Sequence, residues 1–148
     1  MKIKRNLEHG LYVPSKLIPL IEPFTKHVTG KFIDIGCGDG RVVMLSKEIS
    51  DRGLGIEINE DLYEVASTII GDGYIELGNF FDLDFSKYDT IYYYLLGSND
   101  EERLIEKLNV EFNGTLILNV SKKKDIWDEL DFQLIDKFDN VEVYKRKL

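Results

Sequence analysis

The chain has 148 residues, 43% hydrophobic and 31% charged, which is enough apolar material for a buried core. No apolar run approaches the ~20 residues of a membrane span, so membrane insertion is not expected. A formal net charge of −8 disfavours nucleic acid as a partner and suits a basic or lysine-bearing protein or an amine, although acidity also serves plain solubility.

A single cysteine excludes internal disulfides and fits a reducing compartment. The basic start Met1-Lys2-Ile3-Lys4-Arg5-Asn6 leads into no apolar stretch, so no secretory leader is expected and the setting reads as cytoplasmic. There are no repeats or linker-like tracts, which points to one structural domain.

Residues 1–30 precede the first strand. Leu17, Ile18, Leu20 and Ile21 are spaced as a short helix, interrupted by Pro19 and Pro23. From residue 31 the pattern alternates. Residues 31–35 read as a strand, 40–50 as a helix and 53–57 as a second strand. A helix over 61–70 carries Leu62, Val65, Ala66 and Ile69 on one face, with Asn59 as its N-cap. Strands follow over 73–77 and 90–96, then a helix over 100–108 with Leu104, Ile105 and Leu108 inward and Asn99 as cap. The very apolar run 114–120 suits a central parallel strand. A short helix around 125–130 precedes 132–137 and 141–146, two runs joined by Asp139-Asn140 as an antiparallel hairpin. The sum is an α/β chain with a Rossmann-like, doubly wound sheet and one antiparallel strand near the C-terminus.

The most informative stretch is Phe32-Ile33-Asp34-Ile35-Gly36-Cys37-Gly38-Asp39-Gly40-Arg41. A buried strand turns sharply through three glycines into a helix, so the backbone can lie close to a ligand and the helix N-terminus can face it. Glu57 ends the next strand 23 residues after Asp34, an offset that suits the two hydroxyls of a ribose. A nucleoside-containing cofactor is expected. The dinucleotide fingerprint wants a third glycine where Arg41 stands, which argues against NAD.

The pattern Asp34-x-Gly36-x-Gly38-x-Gly40 instead resembles the first motif of the class I, seven-stranded methyltransferases that use S-adenosylmethionine. The resemblance implies the strand order 3-2-1-4-5-7-6. It implies that the backbone at Gly36, Cys37, Gly38 and Gly40 carries the methionine part of the cofactor, with Asp34 near its ammonium group and Glu57 on the ribose. Asn79 would accept from the adenine amino group and Phe80 would lie against the ring. Tyr12-Val13-Pro14-Ser15, about twenty residues before the glycine turn, resembles a small group with archaeal members and mitochondrial members that methylate lysines of the ATP synthase c subunit and the adenine nucleotide translocase. There an aromatic-Val-Pro segment folds over the cofactor site, so Tyr12, Val13 and Pro14 join the candidate set and residues 1–30 become a segment packing over the site.

After the fourth strand the Asn/Asp-Pro-Pro-aromatic motif of adenine and glutamine methylation is missing. Tyr94-Leu95-Leu96 resembles the lysine-methylating group instead. Tyr92 and Tyr94 share one strand face and Tyr93 takes the other, so Tyr93 reads as packing and Tyr94 as lining the path of a substrate amine. Other residues have plain readings: Cys37 as a small spacer, Asp82 and Asp84 as caps, Lys122-Lys123-Lys124 as a solvated loop, Trp127 as packing. Arg41 can pair with Asp39. No metal ligand set is spaced in the chain. The expected activity is methylation of a protein lysine. Methylation of a small molecule or RNA, and a non-catalytic nucleoside-binding module, are the alternatives.

Overall fold

The computed structural model describes residues 14–50 and 52–147. Its centre is a seven-stranded sheet: β1 (Phe32–Ile35), β2 (Gly53–Glu57), β3 (Ile75–Leu77), β4 (Thr90–Leu95), β5 (Thr115–Val120), β6 (Phe132–Phe138) and β7 (Val141–Arg146). The order is β3-β2-β1-β4-β5-β7-β6. Every pairing from β3 through β5 is parallel, and only β7 runs against the rest. The order and the single reversed strand are those expected from the sequence.

Helices α1 (Ile18–His27), α2 (Arg41–Ser50), α3 (Glu60–Ile70) and α4 (Glu101–Glu111) cover the sheet. On one face Leu20 and Phe24 of α1 and Val42 of α2 pack on Phe32, Tyr92, Ile117 and Val143. On the other, Leu104, Ile105 and Leu108 of α4 pack on Ile33, Ile91, Leu95 and Leu116. The alternation follows from β geometry, which sends neighbouring residues of β1 and β4 to opposite faces. After β3 and β5 the connections are 3-10 turns, at Phe80–Asp82, Phe85–Lys87 and Asp125–Glu129, so the expected short helix near residue 125 is a turn.

Three local expectations are corrected. The prolines do not interrupt α1: Pro19 sits in its first turn and Pro23 lies inside it. A proline inside a helix costs about 3 kcal/mol. Leu20 and Phe24 are both fully buried, and each such side chain contributes about 1.5–3 kcal/mol, so packing offsets the break. The buried stripe of α3 is Leu62 and Ala66, joined by Tyr63 and Ile70, while Ile69 faces solvent. This rotation follows from close packing beneath the glycine turn, where a Cβ on Gly40 would lie 2.5 Å from Ile70 and 3.1 Å from Ala66. At α4 the N-cap is Asp100 rather than Asn99, and its side chain makes no capping bond. Asn59 caps α3 as expected, accepting from the Leu62 N–H at 3.2 Å. Among the described residues no helix is long and apolar enough to cross a membrane.

Candidate active site

The sheet order reverses between β1 and β4, and a cleft of about 750 Å³ opens there beyond the strands' C-terminal ends. Its size falls within the roughly 300–1,000 Å³ of small-molecule and cofactor sites. The glycine turn forms one wall. Gly36 and Cys37 N–H both donate to Ile56 O at 2.9 Å, which ties the turn to β2. Gly36 has φ +80°, and a Cβ there would meet no atom within 4 Å, so the backbone faces open cleft. That is the geometry of close ligand approach.

Acids occupy this wall. Glu57 is buried at the end of β2 and accepts from Gly38 N–H at 2.7 Å and Asn59 N–H at 2.8 Å. These two bonds fix the carboxylate and leave acceptor capacity, since a carboxylate offers about four lone-pair sites. Asp34, near the end of β1, is 3% exposed and lines the same cleft. It has no hydrogen-bond or ion-pair partner among the described residues. Burial, followed by repulsion from Glu57 and Asp39, raises its carboxyl well above the ordinary range. A buried carboxyl left in this state favours a cation arriving beside it. Asp39 pairs with Arg41, whose guanidinium donates to it at 2.6 Å.

Asn79 and Phe80 line the cleft beyond β3. Asn79 Oδ1 accepts from Phe81 N–H at 2.9 Å, capping the 3-10 turn. Its second lone pair and its amide N–H groups have no partner among the described residues. The Phe80 ring packs at an angle on Phe81 and edge-on to Tyr93. The half-buried Tyr94 and the exposed Pro14 also border the cleft. Asp34, Gly36, Cys37, Gly38, Glu57, Asn79, Phe80, Tyr94 and Pro14 are thus brought together, whereas Gly40 stands outside the lining, beneath α3. Tyr12 and Val13 lie outside the described residues. Burial pushes the Cys37 thiol well up, so it stays protonated, in keeping with a spacer.

Two buried side chains were not singled out from the sequence, Tyr92 in the cleft and Glu101 behind its wall. Tyr92, opposite Asp34 in register, lines the cleft and is buried. Its hydroxyl lies 2.6 Å from Ser15 Oγ and accepts from Asn119 Nδ2 at 3.1 Å. Burial, then the nearby Asp34, holds this hydroxyl protonated far above its usual range. Glu101, 1% exposed in the first turn of α4, accepts from Tyr93 OH at 2.9 Å, Gly97 N–H at 3.1 Å and Trp127 Nε1 at 3.1 Å. The sequence shows only an acid where helix first turns favour one, and of its partners Trp127 is 26 residues away.

No protein-family model matches the chain. A protein-lysine N-methyltransferase of Saccharolobus islandicus (strain REY15A) is 32% identical over 95 residues. That match spans 58% of this chain and 58% of the relative, so a little over half of the relative's length is represented. Among solved structures, an RNA methyltransferase from Salinibacter ruber in complex with S-adenosyl-L-homocysteine superposes with a TM-score of 0.61 at 22% identity, covering 90% of this chain and 92% of that one. A TehB-like SAM-dependent methyltransferase from Corynebacterium glutamicum gives 0.64 at 17% identity, covering 87% and 86%. With the seven-stranded order in place, these likenesses show that the chain has the fold of the S-adenosylmethionine-dependent methyltransferases.

Proposed function

We propose that the protein is an S-adenosylmethionine-dependent methyltransferase whose acceptor is a lysine side chain of a protein. The observation that carries the cofactor reading is Asp34, a buried carboxyl facing the cleft without a partner among the described residues. Burying such a group without compensation is costly, and a bound cation beside it would relieve the cost. In this reading Asp34 holds the cofactor's ammonium, the open backbone at Gly36 receives the methionine chain, and Glu57 takes the ribose hydroxyls. Asn79 and Phe80 hold the base. Tyr94 borders the amine path, and Pro14 borders the cleft on the side of the segment before α1.

The cofactor supplies an activated methyl group on a sulfonium. A neutral acceptor amine held in line with that carbon would take the methyl group, the electron pair of the carbon–sulfur bond would stay on sulfur, and the product ammonium would lose its proton to solvent. The chain's own contribution is to hold the reactants in line and keep water out, which is where effective concentration and orientation provide rate. The lysine preference rests on the 32% identical relative and on the net charge of −8, which suits a basic acceptor and repels RNA.

The test uses methyl-labelled S-adenosylmethionine, the purified protein and an extract of its own source cells. Label in a protease-sensitive, RNase-resistant band is the expected result. RNase-sensitive label would move the acceptor to RNA, and label in small solutes to a free amine or acid. Cofactor binding without label anywhere would leave a non-catalytic nucleoside-binding module.

A further inference from the structure

Glu101 is a carboxylate at 1% exposure that stands behind the cleft wall rather than in it. Each of its bonds reaches a different part of the fold. Oε2 accepts from the Tyr93 hydroxyl on β4 at 2.9 Å and from Gly97 N–H in the loop after β4 at 3.1 Å. Oε1 accepts from Trp127 Nε1, in the turn after β5, at 3.1 Å. Tyr93 and Trp127 stack with ring centroids 6.2 Å apart, and the Tyr93 hydroxyl also lies 3.3 Å from Ser98 Oγ.

The segment so tied, Leu96–Asp100, lines the cleft beyond the end of β4. It contributes none of the groups assigned above to the cofactor. Gly97 has φ +77°, and a Cβ there would meet the Lys122 side chain at 3.1 Å, so the loop is seated against β5's exit as well. Four elements therefore meet on one buried charge. A neutral side chain cannot replace it without conflict, because an amide offers one oxygen and turns an N–H toward a donor already there. Loss of the carboxylate would leave the buried Trp127 N–H and the half-buried Gly97 N–H without their acceptor and the Tyr93 hydroxyl with only Ser98 Oγ at 3.3 Å, and each would pull the wall elsewhere.

We propose that Glu101 is a positioning residue for methyl transfer: it fixes the loop after β4 as the acceptor-side wall of the cleft and is not needed to hold the cofactor. This rests on the methyltransferase reading. Misplacing a wall by about 1 Å can cost on the order of 100-fold in rate with binding groups intact. The consequence is a split between cofactor affinity and turnover, which general unfolding does not produce.

The experiment measures calorimetric affinity for S-adenosylhomocysteine and the rate of label transfer from saturating S-adenosylmethionine into source-cell extract, for wild type, Glu101→Gln and Tyr93→Phe. Glu101→Gln is expected to keep the dissociation constant within about threefold and to lower the transfer rate at least about tenfold. Tyr93→Phe removes one of the three bonds and should show the same split with a smaller rate loss, which keeps the test open if Glu101→Gln folds poorly. Wild-type transfer rates in both variants would overturn the proposal alone. So would losses of affinity that match the losses of rate. A wild type that binds S-adenosylhomocysteine and transfers no label would overturn the methyltransferase reading and this proposal with it.

Discussion

Two buried carboxyl groups on either side of the sheet's switch point are treated in opposite ways. Asp34, 3% exposed, faces the cleft with no partner among the described residues. Glu101, 1% exposed, sits behind the opposite wall with three donors on its two oxygens. Burial penalises both. The fold compensates one from within and leaves the other without compensation among the described residues. In the proposed reading, one region is finished when the chain folds and the other only when the cleft is filled.

The largest effect that can break this comparison is on the finished side. Glu101→Ala removes the acceptor shared by three donors, two of them buried, and is expected to lower the unfolding free energy by about 3–5 kcal/mol, measured by denaturant titration. A loss under about 1 kcal/mol would mean that water replaces the carboxylate and that the region is not closed.

On the open side the sign reverses. Asp34 keeps its proton to higher pH in the folded protein than in the unfolded chain, chiefly through burial and then through Glu57 and Asp39. Between the ordinary carboxylate range and that raised value the folded state binds more protons, so the empty protein loses stability as pH rises through the window. Asp34→Asn is therefore expected to raise the melting temperature of the ligand-free protein above that window and to leave it unchanged below an ordinary carboxylate pKa of about 3.9. The same variant should weaken S-adenosylhomocysteine binding by about 1.5–3 kcal/mol, roughly 10- to 100-fold, in calorimetry. A variant that is less stable at every pH would show Asp34 to be structural like Glu101.

The smallest effect sharpens the boundary between the two regions. Tyr92 lies beside Asp34 in register, yet its hydroxyl is satisfied by Ser15 and Asn119. Ser15→Ala should cost about 1 kcal/mol in stability and Tyr92→Phe, which also loses the Asn119 bond, somewhat more, with the double variant costing less than the sum because both remove the Ser15–Tyr92 bond. Additive losses would mean that the 2.6 Å contact does not operate in solution.

Much of this was legible in the residues. Strand and helix alternation, the antiparallel hairpin turning at Asp139 with its φ of +53°, and the Asn59 cap follow from local periodicity and turn chemistry. The glycine turn and the spaced Glu57 were placed together on the wall of one cleft, and the motif resemblance supplied the strand order now seen. Less was legible where packing overrides local preference. Helix α1 runs through Pro23 because Leu20 and Phe24 bury beneath the sheet, and α3 turns Ile69 outward because Gly40 lets Ala66 and Ile70 come close.

What the sequence determined by itself is a βα chain with a ligand-ready glycine turn, because those features depend on neighbours three or four residues apart. Only the tertiary structure decided which acids have partners. The donors on Glu101 come from positions 93, 97 and 127, and the Ser15 partner of Tyr92 is 77 residues away. A carboxylate looks the same in every sequence. Whether it stabilises the fold or waits for a cation depends on which distant N–H and O–H groups the sheet brings within hydrogen-bonding reach.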